Sequence, residues 1–99
     1  MRGAFIKGGV RNDIINNKVD ELGYNYAILA RRTGIYQAGV SRLLRGKREW
    51  RVDQLKIVLS VLGLDPEDVF ENKKMLDHYV NELRLDAEWH SSQTNVAEA

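Results

Sequence analysis

Cysteine is missing from the 99 residues, so no disulfide can staple the fold and no thiolate can hold a metal. A single proline, Pro66, leaves no room for a proline-rich linker, and 43% hydrophobic composition at this length fits one compact domain with at most a tail. No stretch approaches a membrane span. The first ten residues include Arg2 and Lys7 but no apolar run long enough for a signal peptide, so the chain reads as soluble and cytoplasmic with no membrane partner. Histidine occurs twice, His78 beside Asp77 and His90 near Glu88, without a third ligand; this reads as a solvated pair and implies neither metal nor cofactor. No serine has a base partner that the sequence places. Gly39 to Lys47 has some features of a phosphate loop, yet six residues instead of four separate Gly39 from Gly46, and Arg48 stands where Ser or Thr would bind magnesium. The inventory excludes an enzyme.

What is present is an uneven distribution of charge. Residues 1–70 hold twelve Lys/Arg against eight Asp/Glu, while residues 71–99 hold three against six. The body is basic and the end acidic. Between positions 31 and 51 the cations Arg31, Arg32, Arg42, Arg45, Lys47, Arg48 and Arg51 face one anion, Glu49. Such clustering favours a polyanionic partner.

Apolar spacing predicts helices throughout, with no period-two strand signal. Ile14, Ile15, Val19 and Leu22 follow the polar starters Asn12 and Asp13, and Gly23 supplies the stop. Asn25 can cap a second helix from Tyr26 to about Thr33, with Leu29 and Ala30 inward, ended by Gly34. A third spans about Gln37 to Arg45, burying Val40 and Leu43 before Gly46. After the loop Lys47-Arg48-Glu49-Trp50-Arg51, the stripe Leu55, Val58, Leu59 and Leu62 marks a fourth helix, ended by Gly63. Asp65-Pro66-Glu67-Asp68 signposts a fifth, with Asp65 as cap, leading into Val69 and Phe70. Met75, Leu76, Tyr79, Val80 and Leu83 recur at helical spacing in a C-terminal amphipathic helix over 71–88. Residues 1–10 read as a basic, flexible arm and 89–99 as a disordered tail.

The segment from Tyr26 to Gly46 has the features of two helices crossing at a tight turn: small Ala30, turn-permitting Gly34, and the apolar pegs Ile35, Val40 and Leu43. Here the chain resembles the lambda repressor and Cro family of helix-turn-helix regulators over residues 12–70. The resemblance is carried by Leu29-Ala30, Gly34-Ile35, Val40-Ser41-Arg42-Leu43, Arg45-Gly46-Lys47, Leu55, Leu62-Gly63-Leu64 and Asp65-Pro66 through Phe70. It implies an all-α, five-helix domain, here with an additional C-terminal helix. It also implies a third helix in the DNA major groove, with phosphates gripped by the start of the second helix and the loop after the third. Carried over, the base-edge readers are Gln37, Ala38 and Arg42, with Tyr36 and Ser41 beside them; Asn25, Tyr26, Arg45, Lys47, Arg48 and Arg51 are the phosphate candidates. Small regulators of this family without a second domain often belong to phages and mobile elements.

Three departures stand out. Leu44 replaces a frequent glutamate that ties the third helix to the first, so apolar packing or a partner surface must take over. Trp50 replaces a frequent proline and is either a flap on the core or a platform against the DNA backbone. Gly39 sits within the third helix, where glycine weakens it, and permits close approach either of DNA or of the second helix. Apolar residues also exceed the needs of one core. Ile57 and Val61 form one surplus patch; Leu76, Tyr79, Val80 and Leu83 on the C-terminal helix form another. A homodimer reading a palindromic operator, most simply as a repressor, accounts for both. The alternative is a protein-interaction module, such as an antitoxin or antirepressor, with a protein partner on the C-terminal helix.

Overall fold

The computed structural model describes residues 4–98, with side chains through Glu88. Its elements run β1 (Phe5–Ile6), α1 (Asn12–Glu21), α2 (Tyr26–Thr33), α3 (Gln37–Leu44), β2 (Trp50–Arg51), α4 (Val52–Leu62), α5 (Pro66–Val69) and α6 (Lys73–Glu98). The fold is all-α, as the sequence implies, with one small sheet added.

Local chemistry accounts for most boundaries. The Asn25 Oδ1 accepts the Ile28 N–H at 2.8 Å, satisfying one of the free donors that open α2. Gly34 closes α2 at φ +78°, a left-handed conformation that a side chain would strain. Two starts differ from expectation. Asp65 occupies the cap position of α5 but makes no side-chain cap bond; the Asp68 N–H reaches the Asp65 carbonyl oxygen at 3.0 Å instead. The cap of α1 is Arg11, without a side-chain bond, and Asp13 in the first turn pairs with Arg11 at 2.8 Å. Asn12, expected as part of the starter pair, sends its side chain across to α3.

From Ala4 onward the N-terminal segment is tied down, contrary to the flexible arm expected over 1–10; residues 1–3 lie outside the described set. β1 pairs antiparallel with β2, Phe5 opposite Arg51 and Ile6 opposite Trp50. Val10 bridges Phe70, with the Arg11 N–H on the Val69 oxygen at 2.6 Å and the Glu71 N–H on the Gly9 oxygen at 2.9 Å. Strands of two residues are too short to show alternation, so periodicity carries no sign of them. Gly9 lets α6 come close: a Cβ there would sit 2.7 Å from the Met75 Cγ.

The core contains the expected Ile15, Val19, Leu29, Val40, Leu43, Leu55, Val58, Leu59, Leu62, Val69 and Phe70. Leu22, expected on the same stripe, is exposed at the end of α1. Ile6, Leu44, Trp50, Val52 and Tyr79 are added to the core. Tyr79 corrects the assignment of that residue to a dimer interface. It is 1% exposed, its ring centroid 5.1 Å from that of Phe70. α6 extends past the Glu88 end expected for it; the side chains of the polar end 89–99, read as a disordered tail, lie outside the described residues.

Burial pushes the Tyr79 phenol from 10.0 up to about 12, because the charged form would lose its hydration. Below pH 10 the phenol is neutral in folded and unfolded chains alike, so it contributes no pH dependence there. Between those two values the unfolded chain releases the proton while the folded chain keeps it, and stability falls as pH rises through the window. Urea midpoints followed from about pH 9 upward are expected to fall less steeply for Tyr79→Phe than for the parent chain. Equal slopes would mean that the phenol is hydrated.

Candidate nucleic-acid interface

α3 divides cleanly into two sides. Gly39, Val40, Leu43 and Leu44 are buried; Tyr36, Gln37, Ala38 and Arg42 are exposed, and Ser41 is half-buried. Helical periodicity sets Ala38 and Arg42 one turn apart, and likewise Gln37, Ser41 and Arg45, so the outward residues form one continuous strip. A strip of this kind, on a helix of eight residues, has the width and chemistry to enter a major groove. Gln offers a donor and an acceptor, Arg a forked donor, and Ala a methyl.

The core side holds this helix from below, and α1 holds its end. The Asn12 Nδ2 donates to the Leu43 oxygen at 3.1 Å, and the Asn16 Nδ2 donates to the Leu44 oxygen at 3.0 Å. The Leu44 carbonyl at the C-terminus of the helix thereby gains a partner, and the Leu43 carbonyl, which also accepts the Gly46 N–H at 3.1 Å, gains a second. Asn12 also accepts the Trp50 indole N–H at 2.8 Å, and Asn16 accepts the Tyr26 hydroxyl at 3.0 Å. The tie that a glutamate at position 44 would supply is thus made by two asparagines of α1, while Leu44 packs into the core. Trp50 is 4% exposed and belongs to the core, not to a DNA-facing platform. Gly39 is buried, and the atoms nearest to its missing side chain come from the residues just before α3. A Cβ there would lie 3.2 Å from the Tyr36 ring and 3.3 Å from the Ile35 Cγ2.

The six phosphate candidates separate into groups. Arg45 and Lys47 are exposed and, with Arg42, form no ion pair among the described residues. Arg48 donates to the Tyr36 hydroxyl oxygen at 3.4 Å. Arg51 is turned toward Asp53, at 3.3 Å. The Tyr26 hydroxyl is engaged by Asn16, and Asn25 caps α2 with the N-terminal amides of that helix beside it. The outlying cation Arg32 lies over the Tyr24 ring, 5.1 Å from its centroid.

Asn12 and Asn16 are the positioning residues that sequence reasoning missed. Their spacing of four on one helix face is visible in the sequence, but not the carbonyls they reach. Among the described residues no helix is long and apolar enough to cross a membrane. Comparison with curated proteins and with solved structures gives no match. The model of the Cro/C1-type HTH DNA-binding domain matches residues 15–74, a span that contains α2, α3 and the exposed strip between Tyr36 and Lys47. With more than half its length so matched, the chain belongs to the Cro/C1-type helix-turn-helix DNA-binding family.

Proposed function

We propose that this protein is a cytoplasmic transcriptional regulator, most simply a repressor, that binds a palindromic operator as a homodimer with α3 in the major groove. The observation that carries this reading is the outward strip of Gln37, Ala38 and Arg42, continued by the exposed cations Arg45 and Lys47. Gln37 is matched to adenine, Arg42 to guanine and the Ala38 methyl to thymine. Arg45 and Lys47, with the start of α2, position the domain on phosphates.

Self-association draws on a groove of about 390 Å³ between α4 and α6, where Ile57, Val61 and Leu83 lie among Asp53, Lys56, Ser60 and Asp86. Ile57 is 41% exposed and Val80 53%, more apolar surface than a solitary helix pair needs to show. Leu76 and Leu83 are half-buried against the core, so the interface rests chiefly on Ile57, Val61, Val80 and the outer edge of Leu83. The same surface is where a protein partner would dock if the chain were an antitoxin or antirepressor.

Selection from a random duplex pool tests the reading. The parent chain is expected to enrich a palindrome, and Gln37→Ala and Arg42→Ala each to weaken binding to it by about tenfold or more while relaxing one base position per half-site. Lys47→Ala is expected to flatten the slope of log affinity against log salt concentration by about 0.9, the value for a single phosphate, without changing the preferred sequence. Retention that is weak, blind to sequence and indifferent to Gln37 and Arg42 would end the proposal in favour of a protein partner.

A further inference from the structure

Gly39 lies buried inside α3, where glycine is a poor helix former compared with alanine. What fills the space above it is the ring of Tyr36. A Cβ at position 39 would stand 3.2 Å from both Cε1 and Cζ of that ring, closer than side chains normally approach. Tyr36 caps α3 in an extended conformation, φ −65° and ψ 151°, and its ring folds back over the first turn of the helix. The ring is not buried by this: Tyr36 is 59% exposed, beside Gln37 and Ala38. Its hydroxyl oxygen accepts from Arg48 at 3.4 Å, so a residue at the start of α3 holds a cation that belongs to the loop after its end.

We propose that Gly39 is a positioning residue for base recognition: the side chain it lacks seats the Tyr36 ring across the first turn of α3, and the seated Tyr36 holds Arg48 beside the reading strip. This rests on the DNA-binding reading given above. Tyr36 is then fixed as a specificity element, its ring edge presented to the groove next to Gln37, and Arg48 is drawn from the loop toward the same stretch of duplex. Alanine at position 39 leaves Ile35 to give by a few tenths of an ångström, but the exposed ring has solvent to move into and is the group displaced.

The test is a double-substitution cycle on the duplex that the parent chain selects. Gly39→Ala is expected to weaken binding about tenfold and to change the preferred base beside that read by Gln37, with a melting temperature equal to or above that of the parent. In a Tyr36→Ala background the same substitution is expected to leave affinity and base preference unchanged, because there is no ring to displace. Tyr36→Phe and Arg48→Ala form a second cycle that leaves the helix untouched, and their losses are expected to be non-additive. Equal losses from Gly39→Ala in both backgrounds, or none in either, would overturn the role of Gly39 while leaving DNA binding intact. Additive losses in the second cycle would overturn the link to Arg48. If the parent chain selected no duplex at all, the functional reading would fall and this inference with it.

Discussion

Trp50→Ala is expected to lower the melting temperature by about 15–30 °C, because deleting a buried aromatic side chain typically costs about 3–5 kcal/mol and each kilocalorie shifts a domain of this size by about 4–8 °C. The expectation is not that of a generic core truncation. Trp50 stands in β2 opposite Ile6, and its indole N–H is donated to the Asn12 Oδ1, the same side chain that holds the Leu43 carbonyl through its amide. Removing the ring therefore opens a cavity, strips the partner from a part-buried carbonyl oxygen, and loosens the residue that anchors the end of α3. The unpaired polar atom alone adds about 1–3 kcal/mol. Against a total stability of about 5–15 kcal/mol for domains of this kind, little remains. Circular dichroism melts of the two chains settle it; a shift below about 5 °C would place Trp50 outside the core.

The second large effect concerns what counts as the folding unit. A chain cut to residues 15–74, the span of the family match, is expected not to fold cooperatively, whereas the full chain does. The span omits Ile6 and Tyr79, two of the largest fully buried side chains. It also omits Asn12 and the strand that pairs with Trp50. A piece that short buries only about 60% of its unfolded surface even when complete, and loss of two flanking core residues takes it below what a single core supports. Point substitutions separate the contributions: Ile6→Ala is expected to cost about 2–5 kcal/mol and Tyr79→Ala about 3–5 kcal/mol in urea denaturation. A cooperative melt of the 15–74 piece within about 5 °C of the full chain would overturn the view that the flanks belong to the core.

The helices that form the motif are legible in the sequence because their determinants are local. Asn25, Gly34 and the pegs Val40 and Leu43 act within a few residues of where they stand, and periodicity alone turns Gln37, Ala38 and Arg42 outward. The remainder depends on partners distant in sequence. Phe5 and Ile6 carry no strand signal, and nothing in them names Trp50 as their neighbour. An amphipathic α6 says that something covers it, not whether that is a second copy or its own domain, so its spacing alone puts Tyr79 on the wrong side. The acceptor that the Tyr26 hydroxyl meets, on Asn16, comes from another helix, and nothing near Tyr26 announces it. For Arg51 the carboxylate it pairs with, Asp53, stands only two residues away. The exchange of the glutamate tie for two asparagines cannot be foreseen from Leu44, since the compensation lies in α1.

The pairing of β1 with β2 and the bridge from Val10 to Phe70 also set an order of events for the chain leaving the ribosome. α1, α2 and α3 are complete, and their local contacts can form, while the first strand still has nothing to pair with. Phe5 waits for Arg51, Val10 for Phe70, and the Tyr79 ring arrives later still. Contacts of such separation close late because loop entropy must be met before they return anything. α3 with its outward strip is therefore assembled before β1 closes onto β2 and before α6 packs down over Phe70.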